Sequence, residues 1–532
     1  MIGTSVPAYL LIRTCTLGLR LVTPLSIFFC SLSIAEPPQT GFTRFLLAWA
    51  VTETAFWLLV FLPRKRSLQA EASHPSPLDR EERKELFWKC WEKIPEPEAY
   101  VSKWFLGARS WEVRRDNVRD FFRWALLYKG DEAKSQQSTS REPPRADLEG
   151  EGESIEVDDE VNRKAEEERE LDEYVDGVQT LLGRTIPPGK GPAKSLRLTI
   201  DEVKMLHRPF VWYLIVFAVD TLTAAYLRYN GFLLHRTHIK SALAIFPPRL
   251  ASLCTRQVSP APDLSYWYRP HTSRTRLPIL FIHGIGIGLY PYSQFLAEIN
   301  KHDPRRAEDG EVGIIAIELM PISFRITNPI LDRDEICRQI DMILERHGFN
   351  KVVLASHSYG SVVTTHLLQN PTTAAKIGPM LMVDPVTFLL HLPDVAYNFT
   401  ARKPRRANER QLHYFASTDM MVAHTLARHF FWAQNILWKD ELRGRDVTVS
   451  LGGRDLIVNT ETVGRYLAGV DLKSEDGSWK ERGLQGHGLE TVWWPTCDHA
   501  QVFERRDGRA KLADVLRKYV EQQAEEDGDE WP

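Results

Sequence analysis

The segment KVVLASHSYGSVVTTHLL, Lys351 to Leu368, places a serine between two kinds of chain. Its first residues are apolar and strand-like, its last read as helix, and Ser356-His357-Ser358-Tyr359-Gly360 fills the join. In a parallel sheet, reactive groups sit beyond the carboxyl ends of the strands. A helix starting there points its first N–H groups at the turn. A serine hydroxyl is a poor nucleophile at neutral pH and needs a base, usually a histidine oriented by a carboxylate. Acyl transfer also needs donors for the developing oxyanion, each worth about 3 kcal/mol of barrier. The acidic residues and histidines that close later strand-like runs are therefore the ones to weigh. Asp384 ends PMLMVD, Asp455 follows DVTVSLGGR, and His499 follows TVWWPTCD.

The five residues at the join resemble the nucleophile elbow of the α/β-hydrolase family, G-x-S-x-G, with Ser356 standing where glycine is usual. The family's chain order is serine, then an acid, then histidine. The resemblance implies Ser358 as nucleophile, Asp455 as the orienting acid and His499 as the base. Asp384 is the alternative acid, because some members take it from that earlier strand. His283-Gly284-Ile285-Gly286 resembles the family's H-G-x-G loop, which makes the amides of Ile285 and Tyr359 the implied oxyanion donors. The resemblance runs from about Ser265 to Gln523 and implies no metal or organic cofactor. His357, His366 and His487 read as packing or solvent-exposed residues. Read instead as a phosphate cradle, the glycine-rich loop lacks both an acidic ribose partner and a basic phosphate partner, so no dinucleotide site is expected.

The elements that must position these residues are visible from Ser265 onward. Runs such as LPILFIH, VGIIAIEL, KVVLAS and PMLMVD are continuously apolar and alternate with helical stretches. Strands of that kind belong to a parallel sheet covered on both faces. The fold class is therefore α/β, a mostly parallel doubly wound sheet, with the catalytic domain at 265–532. Residues 385–441, rich in aromatics and histidine, stand outside the sheet pattern where the family carries a helical cap. DLKSEDGSWKERGLQGHG, between Asp455 and His499, reads as an inserted surface loop.

Upstream the texture changes. LVTPLSIFFCSLSIA and FLLAWAVTETAFWLLVFL are apolar runs joined by a short loop, and a span needs about 20 apolar residues. Arg13 and Arg20 precede them and Arg64-Lys65-Arg66 follow, so residues 1–66 read as a transmembrane hairpin with both ends cytosolic. Glu53 inside the second run is a cost unless protonated or paired. Residues 67–129 read as helical and 130–170 as a disordered acidic linker, since they hold too little apolar surface to offset chain entropy. Residues 171–264 read as helical and membrane-interfacial: Pro209–Phe232 is apolar but carries Asp220 and Arg228, which favours an interfacial segment over a third span.

The bulk composition sets limits on function. A formal charge of −3 over 532 residues gives no electrostatic reason to expect nucleic acid. Cys15, Cys30, Cys90, Cys254, Cys337 and Cys497 show neither zinc nor disulfide spacing. Asn398-Phe399-Thr400 is a glycosylation sequon that a cytosolic domain would leave unused. Together the expectation is a membrane-associated serine hydrolase acting on an ester or related acyl bond of a hydrophobic or lipid-like substrate. Two other classes fit the same fold. One is a non-catalytic membrane scaffold; the other is a lyase, isomerase or cyclase in a specialised biosynthetic pathway, using the same residues for proton transfer.

Overall fold

The computed structural model describes residues 2–129, 153–301, 303 and 305–521. The chain forms two compact units. The larger comprises Met1–Ala70, Glu202–His391 and Asn398–Pro532; the smaller comprises Glu71–Asp201 with Leu392–Tyr397.

The larger unit opens with α1 (Val6–Ala35), capped by the Ser5 hydroxyl, and α2 (Gly41–Phe56), which continues helically through Ser67. α1 thus begins before the apolar run Leu21–Ala35 and includes Leu10–Leu19. Both helices are long and apolar enough to cross a membrane. Glu53 of α2 is fully buried, and its carboxylate accepts the N–H groups of Phe210 and Val211 at 2.9 and 3.1 Å. Those are orphan donors of a helix start, so the acidic residue in the apolar run serves as a helix cap.

The smaller unit is helical: α3 (Arg80–Trp91), α4 (Pro97–Trp104), α5 (Arg115–Leu127) and α6 (Glu153–Leu182). α6 corrects an expectation. The linker was expected to reach residue 170, yet helix begins at Glu153; the remaining linker residues, 130–152, lie outside the described residues. An acidic segment can pack here because its carboxylates meet arginines. Glu170 takes two bonds from Arg83, at 2.8 and 2.6 Å, and Glu168 takes one from Arg123 at 2.7 Å. Gly177 lets α6 approach α3, since a Cβ there would lie 2.9 Å from the Phe87 ring.

The rest of the larger unit is built on one eight-stranded sheet. It begins with α7 (Phe210–Tyr229), β1 (Leu233–His235), α8 (Ile239–Leu243), α9 (Leu250–Cys254), β2 (Ser265–Arg269) and β3 (Ile279–Ile282). α10 (Ser293–Ile299), β4 (Ile314–Glu318), α11 (Arg333–Arg346), β5 (Val352–His357), α12 (Gly360–Gln369) and β6 (Ile377–Val383) follow. After the cap segment, with α13 (Ala407–Gln411) and α14 (Met420–Arg428), come β7 (Val447–Gly452), α15 (Thr460–Ala468), β8 (Leu489–Trp494) and α16 (Arg506–Glu521). The strand order is β1-β2-β4-β3-β5-β6-β7-β8, with β2 antiparallel to its two neighbours and the other pairings parallel. Ile279, Phe281, Val353 and Leu381 share one core cluster with Leu227 of α7, Phe295 of α10 and Leu516 of α16. Leu280, Leu354 and Met382 are equally buried and, by strand alternation, face the other way. Both faces are covered, as the continuous apolar strands require. The six strands from LPILFIH to TVWWPT form as expected, whereas β1 and β2 add an antiparallel edge. The sheet therefore starts at Leu233, inside the region expected to be helical.

Candidate active site

Ser358 sits between β5 and α12 with φ +50°, a left-handed value that non-glycine residues rarely adopt. The turn is held by Ser358 N–H donating to Val383 O at 3.0 Å and by the Ser361 hydroxyl donating to Ser358 O at 2.6 Å. Two glycines make the tight join sterically possible. A Cβ on Gly360 would lie 2.4 Å from Ile282 O, and one on Gly284 would lie 2.7 Å from Ser358 Cβ. Ser356, at glycine's usual place, is accommodated and 2% exposed.

The structure brings Ser358, Asp455 and His499 together. His499 Nε2 lies 2.9 Å from Ser358 Oγ, and His499 Nδ1 lies 2.7 Å from Asp455 Oδ2. With Nδ1–H donating to the carboxylate, Nε2 is left to accept from the serine hydroxyl. Asp455 is fixed in turn, because its Oδ1 accepts the amides of Ile457 and Val458 at 2.7 and 2.9 Å. Among the described residues the Ile285 and Tyr359 amides donate to no protein group, and both lie on the two turns that meet at Ser358.

Asp384 is close by but occupied differently. Its Oδ1 accepts Gly452 N–H at 2.9 Å and its Oδ2 accepts Ala500 N–H at 2.8 Å. It ties the end of β7 to the residue after His499. Burial and the neighbouring Asp455 charge push its carboxyl well above the ordinary range. His499 is subject to opposed effects: burial lowers its pKa, but Asp455, Asp384 and Asp498 more than offset this and raise it to about 9. Asp384, Asp455 and His499 offer ligand-type atoms within 4.8 Å of one another, and those atoms already hold the hydrogen bonds described.

Of the remaining histidines, His357 is buried against the Tyr292 hydroxyl, which lies 2.7 Å from Nδ1. Its Nε2 stands 4.0 Å from Asp384 Oδ2, beyond hydrogen-bond reach, and burial drives its pKa well down. His366 meets Asn435 Oδ1 at 2.8 Å, and His487 is exposed. His283 accepts Leu319 N–H at 2.9 Å and so fixes the H-G-I-G loop to the end of β4. Sequence reasoning missed Asp498, which accepts the amides of His499 (2.8 Å) and Leu456 (3.0 Å) and the side chain of Asn408 (2.7 Å). It also missed Tyr292. Neither carries a signal in one sequence beyond adjacency to His499 or to the glycine loop.

Sheet order, the strained turn and the two glycine contacts define an α/β-hydrolase fold. No family model and no curated protein matches the sequence. Among solved structures the chain is similar to a membrane phospholipase A described as a bacterial virulence factor. That match has 14% identity over 58% of this chain and 93% of that one, with a TM-score of 0.35. It is also similar to a carboxylesterase from Bacillus subtilis (9%, 58% and 98%, 0.32) and to an esterase from Thermogutta terrifontis (13%, 48% and 94%, 0.32). Likeness at this level reports nothing about substrate.

Proposed function

We propose that the protein is a membrane-associated serine hydrolase that cleaves a carboxylic ester, or a related acyl bond, of a hydrophobic or lipid-like substrate. The relay from Asp455 through His499 to Ser358, at 2.7 and 2.9 Å, is the observation that carries this reading. Ser358 attacks the carbonyl carbon while His499 takes the hydroxyl proton, and the Ile285 and Tyr359 amides hold the oxyanion. His499 then returns the proton to the departing alcohol. Water repeats the sequence on the acyl-enzyme, and Asp455 keeps the imidazole oriented throughout.

The hairpin of α1 and α2 anchors the chain, with both ends and the catalytic part on the cytosolic side. Arg13 and Arg20 before the two apolar runs and Arg64-Lys65-Arg66 after them support that side. A cavity of about 180 Å³ with a mixed lining, which includes Thr237, Asp263 and Asn328, opens at the carboxyl end of β4. Leu264, Leu319, Met320, Ile330 and Ile336 also line it.

A fluorophosphonate probe should label the full-length protein, and Ser358→Ala should abolish labelling together with hydrolysis of a short-chain ester. Failure of the unmodified protein to label would favour the scaffold. Labelling retained in Ser358→Ala would displace the nucleophile.

A further inference from the structure

We infer that the Tyr292 hydroxyl is a positioning group for the oxyanion donors, tying the peptide before Ile285 to the residue before Ser358. Both amide donors and the nucleophile then keep one spacing. Tyr292 has this role only if Ser358, His499 and the Ile285 and Tyr359 amides act as proposed above.

Gly284 joins two peptide planes, and a side chain holds each of them. On the earlier plane, Gly284 N–H donates to Tyr292 Oη at 3.2 Å. On the later one, His283 Nδ1 donates to Gly284 O at 2.7 Å, since the other ring nitrogen accepts Leu319 N–H. A trans peptide is planar, and its N–H points away from its C=O. Fixing Gly284 O therefore aims Ile285 N–H the opposite way. Fixing Gly284 N–H stops the chain from turning between the two planes. That restraint matters at glycine, whose backbone has the widest freedom.

The same hydroxyl reaches the nucleophile's side of the site. Having accepted Gly284 N–H, Tyr292 Oη has its own proton to give, and His357 Nδ1 lies 2.7 Å away. Burial holds the His357 pKa well down, which leaves Nδ1 able to accept. His357 immediately precedes Ser358, and a Cβ on Gly284 would lie 2.8 Å from its Nδ1. One oxygen thus links the glycine loop after β3 with the elbow after β5, the two turns that carry the Ile285 and Tyr359 amides. Packing holds Tyr292 in turn. Its ring lies 5.1 Å from Phe281 of β3 and 5.0 Å, edge to face, from Phe503, just beyond His499. Tyr292 and His357 are each 2% exposed, so solvent does not compete for either bond. A core tyrosine needs a single partner for its hydroxyl. Here the oxygen bonds two groups, one on each turn.

Tyr292→Phe keeps the ring and removes only this oxygen. The test uses full-length protein in detergent, with active sites counted from the end-point of fluorophosphonate labelling. Loss of a whole oxyanion donor costs about 10²–10³-fold in kcat, and a displaced donor should cost less. On a short-chain ester, kcat per labelled site should fall about 10–100-fold while KM stays within about twofold. A trifluoromethyl ketone, which adds to Ser358 as a charged hemiketal, should lose affinity by the factor that kcat/KM loses. The matching secondary alcohol forms no oxyanion and should bind as before. His357→Asn keeps an acceptor for the hydroxyl and should retain most of kcat. His357→Leu should lose kcat, and adding it to Tyr292→Phe should cost little more. Full kcat per site in Tyr292→Phe overturns the inference and leaves the catalytic reading intact. An equal loss of affinity for ketone and alcohol also overturns it, because Tyr292 would then only shape the pocket. Should Tyr292→Phe yield no labelled sites, the His357 pair decides: equal kcat in His357→Asn and His357→Leu overturns the bridge. Unmodified protein that neither labels nor hydrolyses removes the catalytic reading and the positioning role together.

Discussion

At the level of single residues, the two acidic candidates separate by what their oxygens do. Asp455 gives one oxygen to His499 Nδ1, whereas both oxygens of Asp384 accept backbone amides. Asp455→Asn should therefore lower kcat by about 10⁴-fold, because the imidazole loses its orienting acceptor. Asp384→Asn should cost much less in kcat; equal losses from the two substitutions, measured by steady-state kinetics on one ester, would mean that the acid assignment is wrong. Asp384 still acts at a distance. His499 works as a base only when neutral, and its raised pKa places the acid limb of kcat/KM above the ordinary imidazole value. Removing the Asp384 charge removes one of the contributions raising that pKa, so the acid limb should move to lower pH in Asp384→Asn. A limb that stays put would show that Asp384 is uncharged where His499 titrates. Ser358, Asp455 and His499 were legible in the sequence because each follows an apolar strand closely and the family order is preserved. Asp384 also ends a strand, and the direction of the two carboxylates' oxygens shows which of them meets His499.

Elements were legible in proportion to how far their burial shows as a pattern. The parallel strands are buried on both faces and read as unbroken apolar runs. β1 has three residues, too few to show any period, and β2 (SYWYR) mixes polar with aromatic positions. The run NRKAEEERELDEYVDGVQTLLG reads as an acidic amphipathic helix, and only the start of α6 before it was missed, because composition alone scores an acidic run as unable to pack. Contacts between distant elements leave no trace in one sequence. Asn408 of α13 and Asp498, 90 positions apart, join the cap to the loop that carries His499. Asp498 is buried, and its carboxyl is already raised by that burial, with Asn408 opposing the rise. Losing this bond should destabilise the larger unit by about 2 kcal/mol, as for a buried hydrogen bond to a charged group. Asn408→Ala, followed by denaturant unfolding, checks this. Asn408→Asp should be worse, since it faces one carboxylate with another, and a neutral result in both variants would show that the cap moves independently of the base loop.

The molecule as a whole does not treat its N-terminal segment as a detachable tether. Both ends of the N-terminal segment touch the cap. Ile2 N–H donates to Gln411 at 2.8 Å, the Arg410 guanidinium lies 5.2 Å from the Tyr9 ring, and Arg20 lies 5.3 Å from the Tyr414 ring. Farther along, Phe61 and Leu68 share a core cluster with Met420, Met421, Ala423 and Ala427 of α14. Arg208, fully buried, stacks on Tyr414 at 4.0 Å and donates to Thr418 at 3.2 Å, so the same cap face is also tied to the chain entering α7. Deleting residues 1–66 would remove Phe61, itself 7% exposed, from the cluster that holds Met420 and Met421. Uncovering buried side chains of this size forfeits about 1.5–3 kcal/mol each. The truncated chain should thus lose thermal stability and lose kcat/KM on a water-soluble short ester, a substrate that needs no membrane, even in detergent. A simple tether predicts the opposite: a soluble monomer with the full-length melting temperature and full activity on the short ester. Melting curves and short-ester kinetics on the two forms, side by side in one detergent, separate these outcomes. Loss of membrane binding alone would leave the cap contacts without consequence for the site.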